Sequence, residues 1–416
     1  MANSLIVNNT SNGTGFDDAA TYYVALTGRT SNSTTEANVQ MPIRDAGTFS
    51  NLFVYVPTNT ASVTTTITLR KSLADTAVTV SYTSDQTGIK EDTANSVAFA
   101  NTDEGCYEIT VPTEVGTNTI SISAIGVQFA PTTTTNCISI MGSRPGNNFG
   151  VASTTQYGMI PGRGRPSATD ESNAEMRIRG SFTMSDFYTY ASANARTTTT
   201  TFKTRKNSAD GGQTVAYTSG QTGAKEDTSG TDSLVAGDDF NYSITTGTGV
   251  ENIMIDIVSC TAISTANQFI FGNSDPTGAA IAALTTTYTG VTGPLIFSTT
   301  EANSQVYPRF TFTASELGAY VSANTNAVLA FNVTLRDNGA DSAVTVSYAA
   351  AQTGLKNDSS NTAVITTGAD EINYEVDNLD ATGSVTLQWM SFMGSTVTAA
   401  PTATSAPYHT LSFMGV

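Results

Sequence analysis

Gln86-Thr87-Gly88-Ile89-Lys90-Glu91-Asp92 recurs as Gln221-Thr222-Gly223-Ala224-Lys225-Glu226-Asp227 and again as Gln352-Thr353-Gly354-Leu355-Lys356-Asn357-Asp358. Counted from glutamine to glutamine, the copies stand 135 and 131 residues apart, the size of a domain and several times that of a solenoid unit. One domain is therefore written three times. A residue with a fold-wide task is expected at the same offset in each copy, and a residue with a local task is not.

The likeness extends well outside the heptapeptide. Tyr22, Tyr157 and Tyr288 open the copies, and Glu36, Glu171 and Glu301 follow. Arg44, Arg179 and Arg309 come next, then Tyr55, Tyr190 and Tyr320. Arg70, Arg205 and Arg336 precede turns that end at Asp75, Asp210 and Asp341; Tyr82, Tyr217 and Tyr348 lead into the signature. Each copy closes on a short apolar run into glycine, at Gly142, Gly272 and Gly415. Turn-rich linkers at 143–148 and 273–278 divide the chain into an N-terminal arm (1–15) and repeats at 16–145, 146–275 and 276–416. The arm carries Leu5-Ile6-Val7 and is suited to pair with an exposed sheet edge, its own or a neighbouring subunit's.

Within a copy the period is two. Val78-Thr79-Val80-Ser81, Ile120-Ser121-Ile122-Ser123 and Val344-Thr345-Val346-Ser347 alternate apolar with polar, as half-buried strands do. Threonine occurs 73 times, and its β-branched side chain suits solvent-facing strand positions. In the first copy strands are expected near 22–28, 37–44, 48–57, 63–71, 76–83, 96–100, 105–111, 118–129 and 136–142. Eight or nine short strands exceed the roughly seven of an immunoglobulin-type sandwich. The fold class is all-β: three tandem antiparallel β-sandwich domains, jelly rolls by strand count, with a Greek-key sandwich as the alternative.

Charge and composition exclude several functions. Asp and Glu number 35 against 18 Lys and Arg, a net charge of −17, which argues against binding nucleic acid or an anionic membrane. No stretch approaches 18 apolar residues, and the start lacks the basic and apolar regions of a secretory signal, so Asn12-Gly13-Thr14 and Asn32-Ser33-Thr34 are not expected to be glycosylated. Cys106, Cys137 and Cys260 do not repeat between copies, so no disulfide framework is expected.

Chemistry is equally sparse, and no catalytic, cofactor-binding or metal residues are assigned. The single histidine, His409, has no counterpart in the other copies, so a nucleophile–base pair is not expected. One histidine and three scattered cysteines do not make a zinc site. Asp92, Asp227 and Asp358, like Asp75, Asp210 and Asp341, read as turn formers in preference to calcium ligands. Glu91 and Asp92 are neighbours and on a strand face opposite ways, unlike a glycosidase pair. Lys90 and Asp92 are placed for a same-face ion pair of small worth. Phe187-Tyr188-Thr189-Tyr190 reads as a core strand, and Trp389, in an alternating run, as buried.

Leu335-Arg336-Asp337-Asn338-Gly339-Ala340-Asp341 with Val344-Thr345-Val346, the Gln-Thr-Gly turn, and Ala236-Gly237-Asp238 in the second copy resemble a repeat of virion structural proteins of tailed bacteriophages. Asn101-Thr102-Asp103-Glu104-Gly105 and Thr367-Gly368-Ala369-Asp370 replace the last turn in the other copies. The resemblance covers the middle of each copy. It implies a non-enzymatic virion component of decoration, collar or fibre type, assembled in the host cytoplasm with capsid or tail proteins and compatible with a homo-oligomer such as a trimer. The alternative is a carbohydrate-binding adhesin or receptor-binding protein that engages a host-surface glycan. Three like domains either close about a pseudo-threefold axis or run as beads in a line.

Overall fold

A computed structural model of the chain describes residues 4–28, 31–114, 118–132, 137–143, 147–160, 169–264, 268–366 and 370–395. Among these there is no α-helix, only three short 3-10 turns at Glu36–Asn38, Glu171–Asn173 and Glu301–Ser304. The first sandwich contains Ser4–Asp17, Ala20–Ala25, Gly47–Val56, Thr65–Lys71, Ala74–Tyr82, Gly88–Phe99, Glu104–Val111 and Thr119–Pro131. The second contains Cys137–Ser143, Thr155–Gly158, Phe182–Asn194, Thr200–Lys206, Ala209–Tyr217, Gly223–Leu234, Asp239–Thr246 and Ile253–Ser264. The third contains Gln268–Ile281, Thr285–Thr289, Phe312–Asn324, Phe331–Asp337, Ala340–Tyr348, Gly354–Ile365, Ile372–Asn378 and Val385–Ser395. Counted one to eight within a sandwich, these strands form two sheets in the orders one-eight-three-six and two-seven-four-five, in all three copies. Two interlocked four-stranded antiparallel sheets in these orders are a jelly roll.

The period-two reading places the core. In the fifth strands Val78, Val80 and Tyr82, then Val215 and Tyr217, then Val344, Val346 and Tyr348 are buried, while Ser81, Thr214 and Ser347 face water. Each such apolar side chain contributes about 1.5–3 kcal/mol on burial. The third strands carry a bulge at Asn51, Asp186 and Glu316, each with φ between 53° and 55°. Pairing with the sixth strand shifts register there in every copy. A bulge adds a residue and twists the strand, so the residues after it are re-aimed: Leu52, Phe187 and Leu317 into the core, and Phe53, Tyr188 and Gly318 outward.

One expectation is refined and three are corrected. Residues Ser4–Asp17, read up to residue 15 as an arm, make the sheet-edge pairing expected of them, on the chain's own first sandwich. They form the first strand of the first sandwich, paired with Thr119–Pro131 from Ser4↔Phe129 to Asp17↔Thr119. The apolar runs ending at Gly142 and Gly272 do not close a copy. Cys137–Ser143 pairs with Ile253–Ser264 and Gln268–Ile281 with Val385–Ser395, so each opens the next sandwich and the true phase of the repeat lies one strand earlier. The stretch 37–44 is a 3-10 turn followed by a two-residue pairing at Met41–Pro42 rather than one strand. Finally, the strand expected at 96–100 begins at Gly88, so the signature is itself the start of the sixth strand. Gly415 and His409 lie outside the described residues.

Candidate functional site

The repeated polar residues assemble into two structural devices. The first is an arginine clamp on the long connection between the second and third strands. Arg70 donates from Nε to Glu36 Oε1 at 3.1 Å and from Nη2 to Oε2 at 2.8 Å, and Nη1 meets Asp75. Arg205 grips Glu171 at 2.8 Å through the same two nitrogens and also holds Asp210. Arg336 does so with Glu301 and Asp341. Each guanidinium also lies over a tyrosine ring, Tyr23, Tyr157 and Tyr288, at 5.9, 5.5 and 5.9 Å. This identifies Tyr23, and not Tyr22, as the equivalent of the other two. Asp75, Asp210 and Asp341 are thus arginine partners.

The second device is the signature turn. Gln86, Gln221 and Gln352 accept a hydrogen bond from the backbone N–H three residues earlier, at 2.9–3.0 Å. Gly88, Gly223 and Gly354 have φ of 85–90°, which favours glycine. Tyr82, Tyr217 and Tyr348 donate to the carbonyls of those glycines and to the third strand. The expected Lys–Asp ion pair does not form. Lys90 and Lys356 donate to the carbonyls of Ser81 and Ser347, while Asp92, Asp227 and Asp358 accept from backbone N–H groups, including those of Thr79, Thr214 and Thr345. Burial alone would push these three carboxyls up, and the converging N–H donors hold them below the usual carboxylate range. A hub that the repeat alignment overlooked completes the turn. Asn59, Asn194 and Asn324 each donate from Nδ2 to two of its carbonyls.

Part of the outward face of the one-eight-three-six sheet, chiefly on its third and eighth strands, is covered by another sandwich, while much of the sixth strand stays exposed. The clamped connection of the first sandwich lies on the second, that of the second on the third, and that of the third returns to the first. In the first seam Arg44 donates from Nε and Nη2 to the two oxygens of Glu226, both at 2.6 Å. Tyr188 and Ile257 of the second sandwich join the first sandwich's apolar core. Gly142 leaves room for that approach, since a Cβ there would stand 2.3 Å from Met41 Cε and 2.7 Å from Thr27 Oγ1. In the closing seam Arg309 pairs with Glu91, Tyr307 meets Phe53 edge to face at 5.7 Å, and Gly290 N–H donates to Ser11 Oγ at 3.2 Å. In the middle seam Ser181 N–H donates to Gln268 Oε1 at 3.3 Å. Gly318 replaces the outward aromatic ring there, and Trp389, stacked on Tyr320, fills beside it.

The three sandwiches therefore close into a ring. The neighbouring residues Glu91 and Asp92 do face opposite ways: the aspartate organises its own turn and the glutamate reaches the next sandwich. Phe187-Tyr188-Thr189-Tyr190 divides similarly, with Phe187 in its own core and Tyr188 in the seam. Cys106 and Cys260 are buried thiols, and burial pushes both well above their ordinary pKa. Among the described residues no three His, Cys, Asp or Glu side chains gather as a metal site requires.

The Arg44–Glu226 pair is bidentate and largely removed from water, a geometry stronger than an exposed ion pair. Glu226→Gln is expected to destabilise the protein by about 1.5–3 kcal/mol. A double-mutant cycle with Arg44→Met in chemical denaturation measures the coupling. Additive effects of the two changes would show that the pair contributes nothing.

No family model matches the chain, and no curated protein matches it. Solved structures show similarity, two of them as follows. One is described as the triple jelly roll fold and turret assembly in an archaeal virus, with 14% identity, 89% of this chain and 83% of that chain covered, and a TM-score of 0.20. The other is described as the atomic structure of Sulfolobus Turreted Icosahedral Virus, with 11% identity, 94% and 96% covered, and a TM-score of 0.18. At these TM-scores neither superposition carries an argument, and the fold rests on the strand order of this chain.

Proposed function

We propose that the chain is a non-enzymatic structural protein of a virus particle, in which three jelly rolls in one polypeptide take the place of three subunits. The observation that carries this reading is the closed ring. The side chains of the clamp and the signature turn, repeated in every copy, are occupied in holding loops and turns, and the sequence resemblance to virion proteins points the same way. Its place is a decoration, collar or fibre-type position, assembled in the host cytoplasm and seated on capsid or tail proteins. The folding units in this reading are 4–131, 137–264 and 268–395. Phe187, Tyr188 and Trp389, the aromatics weighed for a glycan platform, are buried, which favours the virion reading over the carbohydrate-binding one.

Mass spectrometry of purified particles from the source is expected to find the protein in stoichiometric amount. Its absence from particles, with the protein abundant in the infected or producing cell, would sink the proposal. Small-angle scattering of the isolated chain is expected to give a compact three-lobed particle, and an extended profile would reject the ring.

A further inference from the structure

The three seams share an arginine from the clamped connection but differ in what the third and sixth strands set opposite it. Glu91 and Glu226 stand opposite Phe53 and Tyr188 on the sixth and third strands, and the same register in the third sandwich pairs Asn357 with Gly318. The arginine repeated at this place in the sequence, Arg179, is kept and lies within electrostatic reach of Glu316 on the third strand of the third sandwich. Its Nε and Nη2 are shielded from solvent and have no hydrogen-bond partner. These are the two nitrogens with which Arg44 holds both oxygens of Glu226. Nη1 is not among the shielded, unpartnered atoms.

The charges around Arg179 leave room for an anion. Glu316, at the bulge, interacts with it electrostatically without a hydrogen bond, as Asp186 does with Arg44. Arg177 is taken up by Asp239, at 2.5 and 2.7 Å. The first seam gathers three carboxylates, Glu226, Asp186 and Glu104, about one guanidinium. Replacing Glu by Asn in the middle seam removes a negative charge and one carbon of length, and leaves a planar donor fork facing no oxygen. Burial lowers the Arg179 guanidinium from its ordinary pKa, against the opposing pull of Glu316 and Asp239.

We propose that the Nε–Nη2 edge of Arg179 binds a small free monocarboxylate, of formate or acetate size, in the place that a glutamate side chain fills in the other two seams. The two oxygens accept the two N–H groups as Glu226 accepts those of Arg44, and the ion supplies the hydrogen-bond acceptors that Glu316 does not. The binding closes the one interface whose glutamate acceptor is missing, so the ligand stabilises the ring through a single saturable site.

Thermal unfolding of the full chain in acetate or formate, against chloride at equal ionic strength and pH, tests this. The unfolding midpoint is expected to rise saturably with carboxylate, by about 2 °C or more. Asn357→Glu supplies the carboxylate covalently. It is expected to raise the midpoint in carboxylate-free buffer and to abolish the response, and Arg179→Gln is expected to abolish the response without that gain. A wild-type midpoint indifferent to carboxylate identity would overturn the proposal, even if Asn357→Glu stabilised the protein. A response of undiminished size in Asn357→Glu would overturn it too, by placing the binding elsewhere.

Discussion

Deletion of residues 1–17 is expected to unfold the first sandwich and open the ring, where removal of a detachable arm would leave both intact. Ser4–Asp17 is the outer strand of a core sheet and buries Ile6, Val7 and Phe16 completely. By area alone these three side chains account for roughly 5–9 kcal/mol, comparable with the whole stability of an ordinary domain. The loss is not confined to one sandwich. Asn8, Asn9, Thr10 and Ser11 are buried, Asn9 Nδ2 donates to Ser304 O at 3.5 Å, and Gly290 and Gly293 of the third sandwich lie so close that a Cβ on either would meet Asn9 within 2.6 Å. Strand and seam therefore go together. Hydrogen exchange read by mass spectrometry should show the truncated chain losing protection across 47–131 and in the 290–310 connection, with 182–264 largely retained. Unchanged protection across 119–131 would reject this account.

The same strand shows which features the sequence exposes. A repeat is detected where side chains are alike, and the signature, the clamp arginines and the tyrosines are alike because each copy must solve the same backbone problem. The first strands are less alike: Leu5-Ile6-Val7 has only the apolar character of Ile140-Met141-Gly142 and Ile270-Phe271-Gly272, which share an isoleucine and a glycine. The latter two each follow an eighth strand after a short connection, so in the second and third copies they read as the end of the preceding domain. Only pairing, a non-local property, assigns them correctly. The sixth strand was hidden for a related reason. Its first half, from Gly88 to Asp92, has no apolar alternation: Ile89 and Glu91 are exposed, Glu91 reaching Arg309 of another sandwich from there, and the buried side chain is the charged Asp92. Seam residues break the two-class pattern that period-two reading relies on. The alignment nevertheless held the decisive clue, since Glu91 and Glu226 against Asn357 is a difference between copies at an otherwise repeated site, and that site is where sandwiches meet.

Arg196→Ala is expected to be the most damaging single substitution in the second sandwich, at about 3–5 kcal/mol. Arg196 is 1% exposed and donates to four backbone carbonyls: Phe149 at 3.3 Å, Glu251 at 2.7 Å, Gly247 at 3.0 Å and Gly249 at 2.7 Å. It joins the connection between the third and fourth strands to that between the seventh and eighth. The other copies make this junction with opposite polarity. In the first, Glu114 from the seventh–eighth connection accepts from the N–H groups of Ser62 and Val63; in the third, Asp380 accepts from those of Ala327, Val328 and Leu329. A loop whose N–H groups point at its neighbour needs an acid there, and a loop that presents carbonyls needs a donor. The small residue at the equivalent position in the first copy, Ala61, is therefore no guide to tolerance at 196, because the carbonyls of 247, 249 and 251 would be left buried without partners. Arg196→Lys should recover only part of the loss, since one ammonium cannot span four acceptors that a planar fork reaches together. Urea denaturation of the three proteins measures the order wild type, lysine, alanine. An alanine variant within 1 kcal/mol of wild type, on the scale of an ordinary surface change, would show that water satisfies these carbonyls instead.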